Sequence, residues 1–356
     1  MDEIKLMIIG SDNKSTGGIP RYIPEQLRHL PSNVNPTVYD IGAPEGSGWR
    51  WFLVSFVLAM RDALLFPFEE RPDVVHIHTS HAYSFYRSSY YALFAAYIWR
   101  VPVLLHIHGS AFDEFVVTDS SASQILQRTV YRAVDQIIVL SSFWKDLLAL
   151  HVSEEKIRVI PNAIDPGDYD PVIGSKHVQI VFISNLIERK GIIEFAEATE
   201  RILRNGGPDV RINIAGKGPQ TDVAESLAAA YDEVEYHGYV SEDQKRELLN
   251  EGSLYVLPTY AEGLPIAILE AMAGGNAIVS TPVGSIPEVI SEENGELVPP
   301  GDVDALADTL IRTIEAPDDL FAAATTNRQT VESRYAWDVV MGQLVETYTD
   351  AIAKSQ

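Results

Sequence analysis

Cysteine is absent from the 356-residue sequence. That excludes disulfides and thiolate metal sites, and it leaves the redox compartment open. Lysine is scarce. Only 9 of the 27 basic residues are lysine, against 50 acidic residues, and the formal net charge is −23. Such a surface repels nucleic acid and anionic lipid overall. It suits a salt-rich solvent, where screening makes self-repulsion tolerable. A signal-peptide order of basic, apolar and small residues is also missing, because Met1-Asp-Glu-Ile-Lys5 runs straight into a strand. Long apolar runs are few. Within the apolar stretch 49–68 the longest uncharged run, Trp51–Met60, has 10 residues, too short to cross a bilayer.

What is present reads as alternating strands and helices. The length suits two domains, and 46% hydrophobic residues suffice for full cores. Strands are expected over 5–9, 74–78, 101–108, 136–140 and 156–160, and again over 178–183, 210–215, 235–239, 254–257, 277–280 and 295–298. Each half reads as a parallel sheet with covering helices. Pro24 favours a helix that begins near Pro20 or Arg21, because a proline deeper inside would lose a bond and clash. The apolar stretches 49–68 and 88–99 are expected to be core helices. The alternative is an amphipathic surface that touches membrane or a lipid-linked acceptor.

Several places could carry chemistry. The densest is Leu254–Pro287. Here Glu262-Gly-Leu-Pro265 leads into a helix, Glu270 lies within it, and Gly274-Gly275 ends it. The amides of Gly263, Leu264, Ile266 and Ala267 have no intrahelical partner, so this end can receive anions or hydroxyls. A carboxylate, open amides and a second carboxylate would grip a polyhydroxylated, phosphorylated ligand. The bland alternative is a loop charge and a solvated helix residue. Gly17 and Gly18 precede a helix after the first strand, where a phosphate would also be welcome. They form neither a Walker loop nor a dinucleotide turn. His76-Ile-His78 and His106-Ile-His108 end two strands. With His81 nearby a metal site is imaginable, but no ligand spacing supports it. The better reading is that strand ends meet a ligand crevice, with His108 at the loop mouth. Arg189-Lys190 is an adjacent basic pair near a strand end, suited either to a diphosphate or to a solvated turn. Asp168-Tyr-Asp170 and Asp302-Val-Asp304 are read as a linker and a helix cap, not as metal sites.

The segment Glu262-Gly-Leu-Pro-x4-Glu270-Ala-Met-Ala, followed by Pro282-Val-Gly-Ser-Ile-Pro-Glu288, resembles the donor-binding region of retaining glycosyltransferases of family four. The resemblance implies a GT-B fold, with two Rossmann-like doubly wound α/β domains facing across a cleft. It sets the domains at 1–170 on the acceptor side, 171–333 for the nucleotide sugar, and 334–356 as a last helix returning to the first domain. It implies a metal-independent, retaining hexosyl transfer from a nucleotide sugar, with no cofactor. The catalytic residues would be His108, Lys190 and Glu262. The donor would be held by Gly17, Gly18, Asn185, Arg189, Lys190, Glu262, Gly263, Leu264 and Glu270. Gly216-Lys-Gly-Pro219 and Tyr239-Val240 would border the base. The family's first diphosphate-binding arginine is replaced by Asn185, so Arg189 is the candidate to supply that charge. The acceptor would be a glycan or a lipid-linked sugar. The setting would be the cytoplasm or the inner face of the cell membrane, with peripheral membrane contact through the first domain. Two other classes fit the same fold: a nucleotide-sugar epimerase, and a non-catalytic binding homologue.

Overall fold

The computed structural model describes residues 3–11, 18–42, 48–109, 115–118, 120–174, 177–204 and 208–355. The chain forms two compact units, Met1–Pro161 with Val340–Gln356, and Asn162–Val339. The division after Pro161 falls ahead of the Pro166–Gly174 linker that composition suggests.

The first unit carries strands β1 (Ile4–Gly10), β2 (Val34–Asp40), β3 (Val74–Thr79), β4 (Val103–Ile107), β5 (Gln136–Val139) and β6 (Ile157–Val159). They make one sheet in the order β2-β1-β3-β4-β5-β6, and every pairing is parallel. The second unit carries β7 (Val178–Ile183), β8 (Val210–Ala215), β9 (Val234–Tyr236), β10 (Leu254–Leu257), β11 (Ala277–Ser280) and β12 (Gly295–Leu297). Their order is β12-β11-β10-β7-β8-β9, again all parallel. Strands such as Val-Val-His-Ile-His-Thr and Ala-Ile-Val-Ser are buried at every position. Helices cover both faces of a doubly wound sheet, so its strands read as continuous runs rather than alternating ones.

In the second unit the chain lays β7, β8 and β9 outward in one direction. It then returns to place β10 on the other side of β7. The loops leaving the carboxyl ends of β7 and β10 therefore diverge. An open α/β sheet binds its ligand in the crevice that such a reversal leaves. The core beneath is apolar, with the Phe182 and Phe195 rings 4.9 Å apart and tilted among Ile180, Ile212, Ile214, Leu254 and Val256.

Two expectations for the first unit are corrected, and one strand is added. The helix starts at Gly18, not near Pro20, and runs Gly18–His29 with Pro24 inside it. It tolerates the proline at the cost of one backbone bond. Strand β2 was not foreseen. Its sequence Val-Asn-Pro-Thr-Val-Tyr-Asp is polar and contains Pro36, which an edge strand can accommodate because one side needs no donors. The stretch 49–68 is not a core helix. Helix Trp49–Leu65 buries only Asp62 and exposes most of its apolar side chains. Its carboxyl end alone is anchored. Phe66 is buried against Trp99 at 4.5 Å and Tyr91 at 4.9 Å. The second apolar stretch does pack, with Ser88, Ser89, Tyr91, Ala92, Ala95 and Trp99 buried.

The tail forms helix Trp337–Ser355. Trp337, Val340, Met341, Leu344 and Tyr348 line one stripe and are all buried, as its amphipathic pattern requires. From Val340 onward it belongs to the first unit. There the Tyr348 hydroxyl lies 2.8 Å from Nδ1 of His76.

Candidate functional site

The crevice of the second unit gathers the loops after β7, β8, β10 and β11. The loop after β7 ends in the turn Glu188–Lys190 and in Gly191, whose φ of 74° marks the left-handed region. A Cβ on Gly191 would stand 2.1 Å from the Pro258 carbonyl oxygen. Only glycine lets the β7 loop lie this close to the β10 loop. That approach brings Lys190 to Glu262.

Lys190 Nζ donates to Glu262 Oε1 in an ion pair. Glu262 is 6% exposed. The Thr259 hydroxyl lies 3.2 Å from the same carboxylate oxygen and 3.0 Å from the Arg189 carbonyl. The Arg189 guanidinium donates to the Ala261 carbonyl at 2.5 Å, and the amide of Tyr260 donates to the Arg189 carbonyl at 2.9 Å. Arg189 therefore clips the two loops together, while Lys190 meets the carboxylate. Asn185 is exposed at the start of the same loop.

Helix Ile266–Ala273 follows, with Pro265 as its N-cap, one position earlier than the first helical residue. The first backbone bond of the turn runs from Ile268 to the Pro265 carbonyl at 3.1 Å. The amides of Ile266 and Ala267 precede it, so they remain for a ligand, as at any helix amino end. Ile266, Ala267 and Glu270 are the partly accessible residues of a helix whose other face is buried. Gly263 and Leu264 are buried beneath the loop, and Asn162 Nδ2 donates to the Leu264 carbonyl at 2.7 Å.

Glu270 has a partner that sequence reasoning missed. Lys245 Nζ donates to Glu270 Oε1 at 2.6 Å and reaches Glu242 at 2.5 Å. Lys245 is buried on helix Glu242–Glu251, which opens with a capping box at Ser241 and Gln244. A lysine inside a Glu-rich helix reads as a solvated charge, and only tertiary packing turns it toward Glu270. Thr259 and Gly284 were missed too. Gly284, at φ 55°, passes the Glu262 backbone so closely that a Cβ would stand 1.9 Å from the Glu262 oxygen.

Other candidates fall elsewhere. Gly17 lies outside the described residues, and Gly18 opens the first helix. Tyr239 is exposed. Gly216 and Gly218 pack against the Ser184 and Leu186 carbonyls, where a Cβ would come within 1.8 and 2.2 Å. They hold the β8 loop against the β7 loop. The two Asp-x-Asp sequences have local partners. Asp168 pairs with Arg246 at 2.9 Å, Asp302 caps the Ala305 amide at 2.9 Å, and Asp304 pairs with Arg201.

In the first unit, His76, His78, His106 and His108 stack in one layer at the ends of β3 and β4, with ring centroids 4.0 to 5.3 Å apart. Gln26 Nε2 donates to the Tyr348 hydroxyl at 2.9 Å, and Nδ1 of His76 lies 2.8 Å from that hydroxyl and 3.1 Å from Gln26 Nε2. Nε2 of His76 lies 3.2 Å from Nδ1 of His106. Nδ1 of His78 lies 2.9 Å from Nε2 of His108. Ring nitrogens of His76, His78 and His106 lie within 4.8 Å of one another. That separation alone would admit a cation, but both nitrogens of His76 are engaged in hydrogen bonds.

Burial pushes His76 down to about 3 and holds His78 and His106 well below the ordinary histidine value, with the neighbouring imidazoles adding to the effect. The folded chain keeps these rings neutral, while the unfolded chain protonates them near pH 6.5. Stability is therefore complete above about pH 6.5 and falls as pH drops below it, by up to about 1.4 kcal/mol per pH unit for each histidine. Denaturant midpoints between pH 7.5 and pH 5 should show this slope, and His106→Gln should flatten it.

Two family descriptions match the chain. "Glycosyl transferases group 1" covers residues 177–316, and "Glycosyl transferase 4-like domain" covers residues 19–163. An MMP alpha-(1->4)-mannosyltransferase of Mycolicibacterium hassiacum is 28% identical over 268 residues, covering 73% of this chain and 62% of the relative. A human phosphatidylinositol N-acetylglucosaminyltransferase chain is 29% identical over 290 residues, covering 78% and 58%. The chain thus spans about three-fifths of the length of these relatives. Among solved structures, sucrose-phosphate synthase of Thermosynechococcus elongatus matches with a TM-score of 0.77 at 17% identity, over 99% of this chain and 100% of the other. Anabaena HepE in complex with UDP matches with a TM-score of 0.75 at 17% identity, over 98% and 100%. These two likenesses speak to the fold, which is GT-B. With one family segment in each unit, the chain belongs to the group 1, family-four-like glycosyltransferases.

Proposed function

We propose that this chain transfers a glycosyl group from a nucleotide sugar to a hydroxyl acceptor with retained anomeric configuration, without a metal. The observation that carries the reading is the buried Lys190–Glu262 pair at the reversal between β7 and β10, beside the open amides of Ile266 and Ala267. Lys190 is assigned to the donor diphosphate, with Asn185 beside it. Arg189, held by the Ala261 carbonyl, contributes charge from the loop margin. Glu262, with the Gly263 and Leu264 backbone, is assigned to sugar hydroxyls, and Glu270, positioned by Lys245, to the ribose. Gly17 and Gly18 are assigned to the diphosphate, and His108 to the sugar near the attacked carbon, from the resemblance.

In the step itself the bond from the anomeric carbon to the phosphate oxygen breaks. The acceptor oxygen bonds to that carbon on the same face, and the acceptor proton passes to the departing phosphate. Fixed cations and amides aimed at the growing phosphate charge lower the barrier, because they need no reorganisation as the charge develops. Lys190 serves only if the donor phosphate shares its ammonium with Glu262. Relatives named for phosphatidylinositol glycosylation and for amylovoran biosynthesis support a lipid-linked or polysaccharide acceptor. A place at the inner membrane face is part of the same proposal.

A panel of UDP-, GDP- and ADP-sugars tests this. One base class should raise the melting temperature, with about 2.7 kcal/mol of stabilisation at one hundred times Kd. That donor should also hydrolyse slowly without acceptor. No shift with any of them, or an equal shift in Lys190→Ala, would contradict the assignment.

A further inference from the structure

Helix Trp49–Leu65 is inside out. Its one buried side chain is acidic Asp62, which pairs with Arg61 at 2.9 Å and Arg87 at 3.7 Å. Its apolar residues face solvent. Trp51, Phe52, Leu53 and Val54 are consecutive, and each is at least 42% exposed. Successive helical residues are 100° apart, so these four cover the whole circumference. Phe56, Val57, Met60, Leu64, Leu65 and Phe68 extend the surface, and Tyr90, Tyr97 and Ile98 of the neighbouring segment add to it. The Tyr90 hydroxyl donates to the Ala63 carbonyl at 2.7 Å, which joins the two parts. Water would not favour so large an apolar face, so something covers it.

Charge indicates what. Acidic residues number 50 in 356, yet Asp62 is the only one between Gly48 and Phe68, and none occurs from Val74 to Gly109. Negative charge is kept off this face, while Arg50, Arg61 and Arg100 are exposed on or beside it. Glu69 and Glu70 follow at its margin, Glu70 paired with Lys5. Exposed Trp and Tyr with flanking arginines are the composition of a membrane interface. A second copy would bring arginine toward arginine, and a protein partner would cover one stripe of the helix rather than its circumference. Lipid surrounds.

By length and composition the stretch Trp49–Phe68 could cross a bilayer, against the expectation from its uncharged run of 10 residues. Its attachments indicate otherwise. The Tyr39 hydroxyl holds the Asp62 carbonyl at 2.6 Å, and Phe66 is sunk in the core. Strands β2 and β3, which precede and follow it, lie in one sheet. Both ends must return to the same folded unit. We infer that Trp49–Leu65 inserts its amino-terminal half into the surface layer of a lipid bilayer and docks the first unit there. The inference deepens the proposed membrane-side acceptor and rests on that reading for its purpose.

The test is flotation of the full chain with vesicles of phosphatidylcholine, alone or mixed with phosphatidylglycerol. The wild type should float with both and remain bound in about 1 M salt, where surface charges are screened within about 3 Å. Emission from Trp49 and Trp51 should shift to the blue. Phe52→Glu with Phe56→Glu should reduce the bound fraction at least tenfold. Leu150→Glu, an exposed apolar residue on another helix end, should float like the wild type. No flotation of the wild type, or equal flotation of the double variant, overturns the inference. Binding to anionic vesicles alone that vanishes in salt would mean adsorption by the arginines and would also overturn it. A dimer abolished by the double variant, without vesicle binding, would assign the face to a second copy. Donor-induced thermal shifts on the same samples separate the two readings. If the wild type floats but no donor shifts it, the transferase reading fails and the docking stands.

Discussion

Lys190→Met and Glu262→Gln should each lower the transfer rate at least tenfold, a barrier increase of about 1.4 kcal/mol. They should also differ from ordinary structural lesions. The pair is nearly enclosed, and among the described residues Thr259 is the one other partner of Glu262 Oε1 in the crevice. Removing one member leaves the other as a buried charge, a loss of roughly 3 kcal/mol or more in stability. Removing both charges together relieves that penalty. The double variant should therefore recover much of the stability lost by Lys190→Met, with a non-additive coupling of about 1–3 kcal/mol. It should recover none of the activity, because the proposed phosphate cation and hydroxyl acceptor are both gone. Denaturation midpoints and initial rates on the four proteins decide this. If rate follows stability back toward wild type in the double variant, the pair is a structural clasp and not a donor grip.

Gly284→Ala should be the most damaging substitution outside the charged pair. Two penalties coincide there. The backbone sits at φ 55°, which costs an L-residue about 1–2 kcal/mol. The new methyl would also overlap the Glu262 carbonyl oxygen, 1.9 Å away, so the loop must move. That loop carries the carboxylate, and the Ser285 amide is bonded to the Gly263 carbonyl at 3.1 Å. Donor affinity should fall at least tenfold, about 1.4 kcal/mol. Gly174→Ala is the control. Its φ of 96° is also strained, yet nothing lies within 4 Å of its Cβ. It should cost only the backbone term and leave donor affinity alone. Equal effects of the two substitutions on affinity would mean that the close approach to Glu262 plays no part.

The sequence was most legible where a strand is buried on both faces. Val178–Ile183, Val210–Ala215, Leu254–Leu257 and Ala277–Ser280 are observed with the bounds their apolar runs suggest. Continuous hydrophobicity flanked by Gly, Pro or charge leaves little freedom there. Helix Trp49–Leu65 failed for the complementary reason. A helix apolar on every side has no polar stripe to reveal which way it faces, so composition reads the same for a core helix and for an exposed one. Strand β2 failed because an edge position relaxes the rule against proline. At the site, Glu262 and Glu270 stood out through the residues around them, which resemble the family's donor-binding segment, because their spacing alone suits a solvated pair as well. Lys245 and Thr259 did not, because their roles arise from loops and a helix that meet only after folding. The four-histidine layer was half visible: each His-Ile-His puts two rings on one face, but the pairing of β3 with β4 that stacks them is a property of the sheet.

The most direct test of the account is a crystal structure with whichever nucleotide sugar gives the largest thermal shift. Diphosphate oxygens should lie within about 3 Å of Lys190 Nζ and of the Ile266 or Ala267 amide. Sugar hydroxyls should lie on Glu262, and the ribose on Glu270. A donor bound in the second unit away from the carboxyl ends of β7 and β10, with the Lys190–Glu262 pair undisturbed, would contradict it.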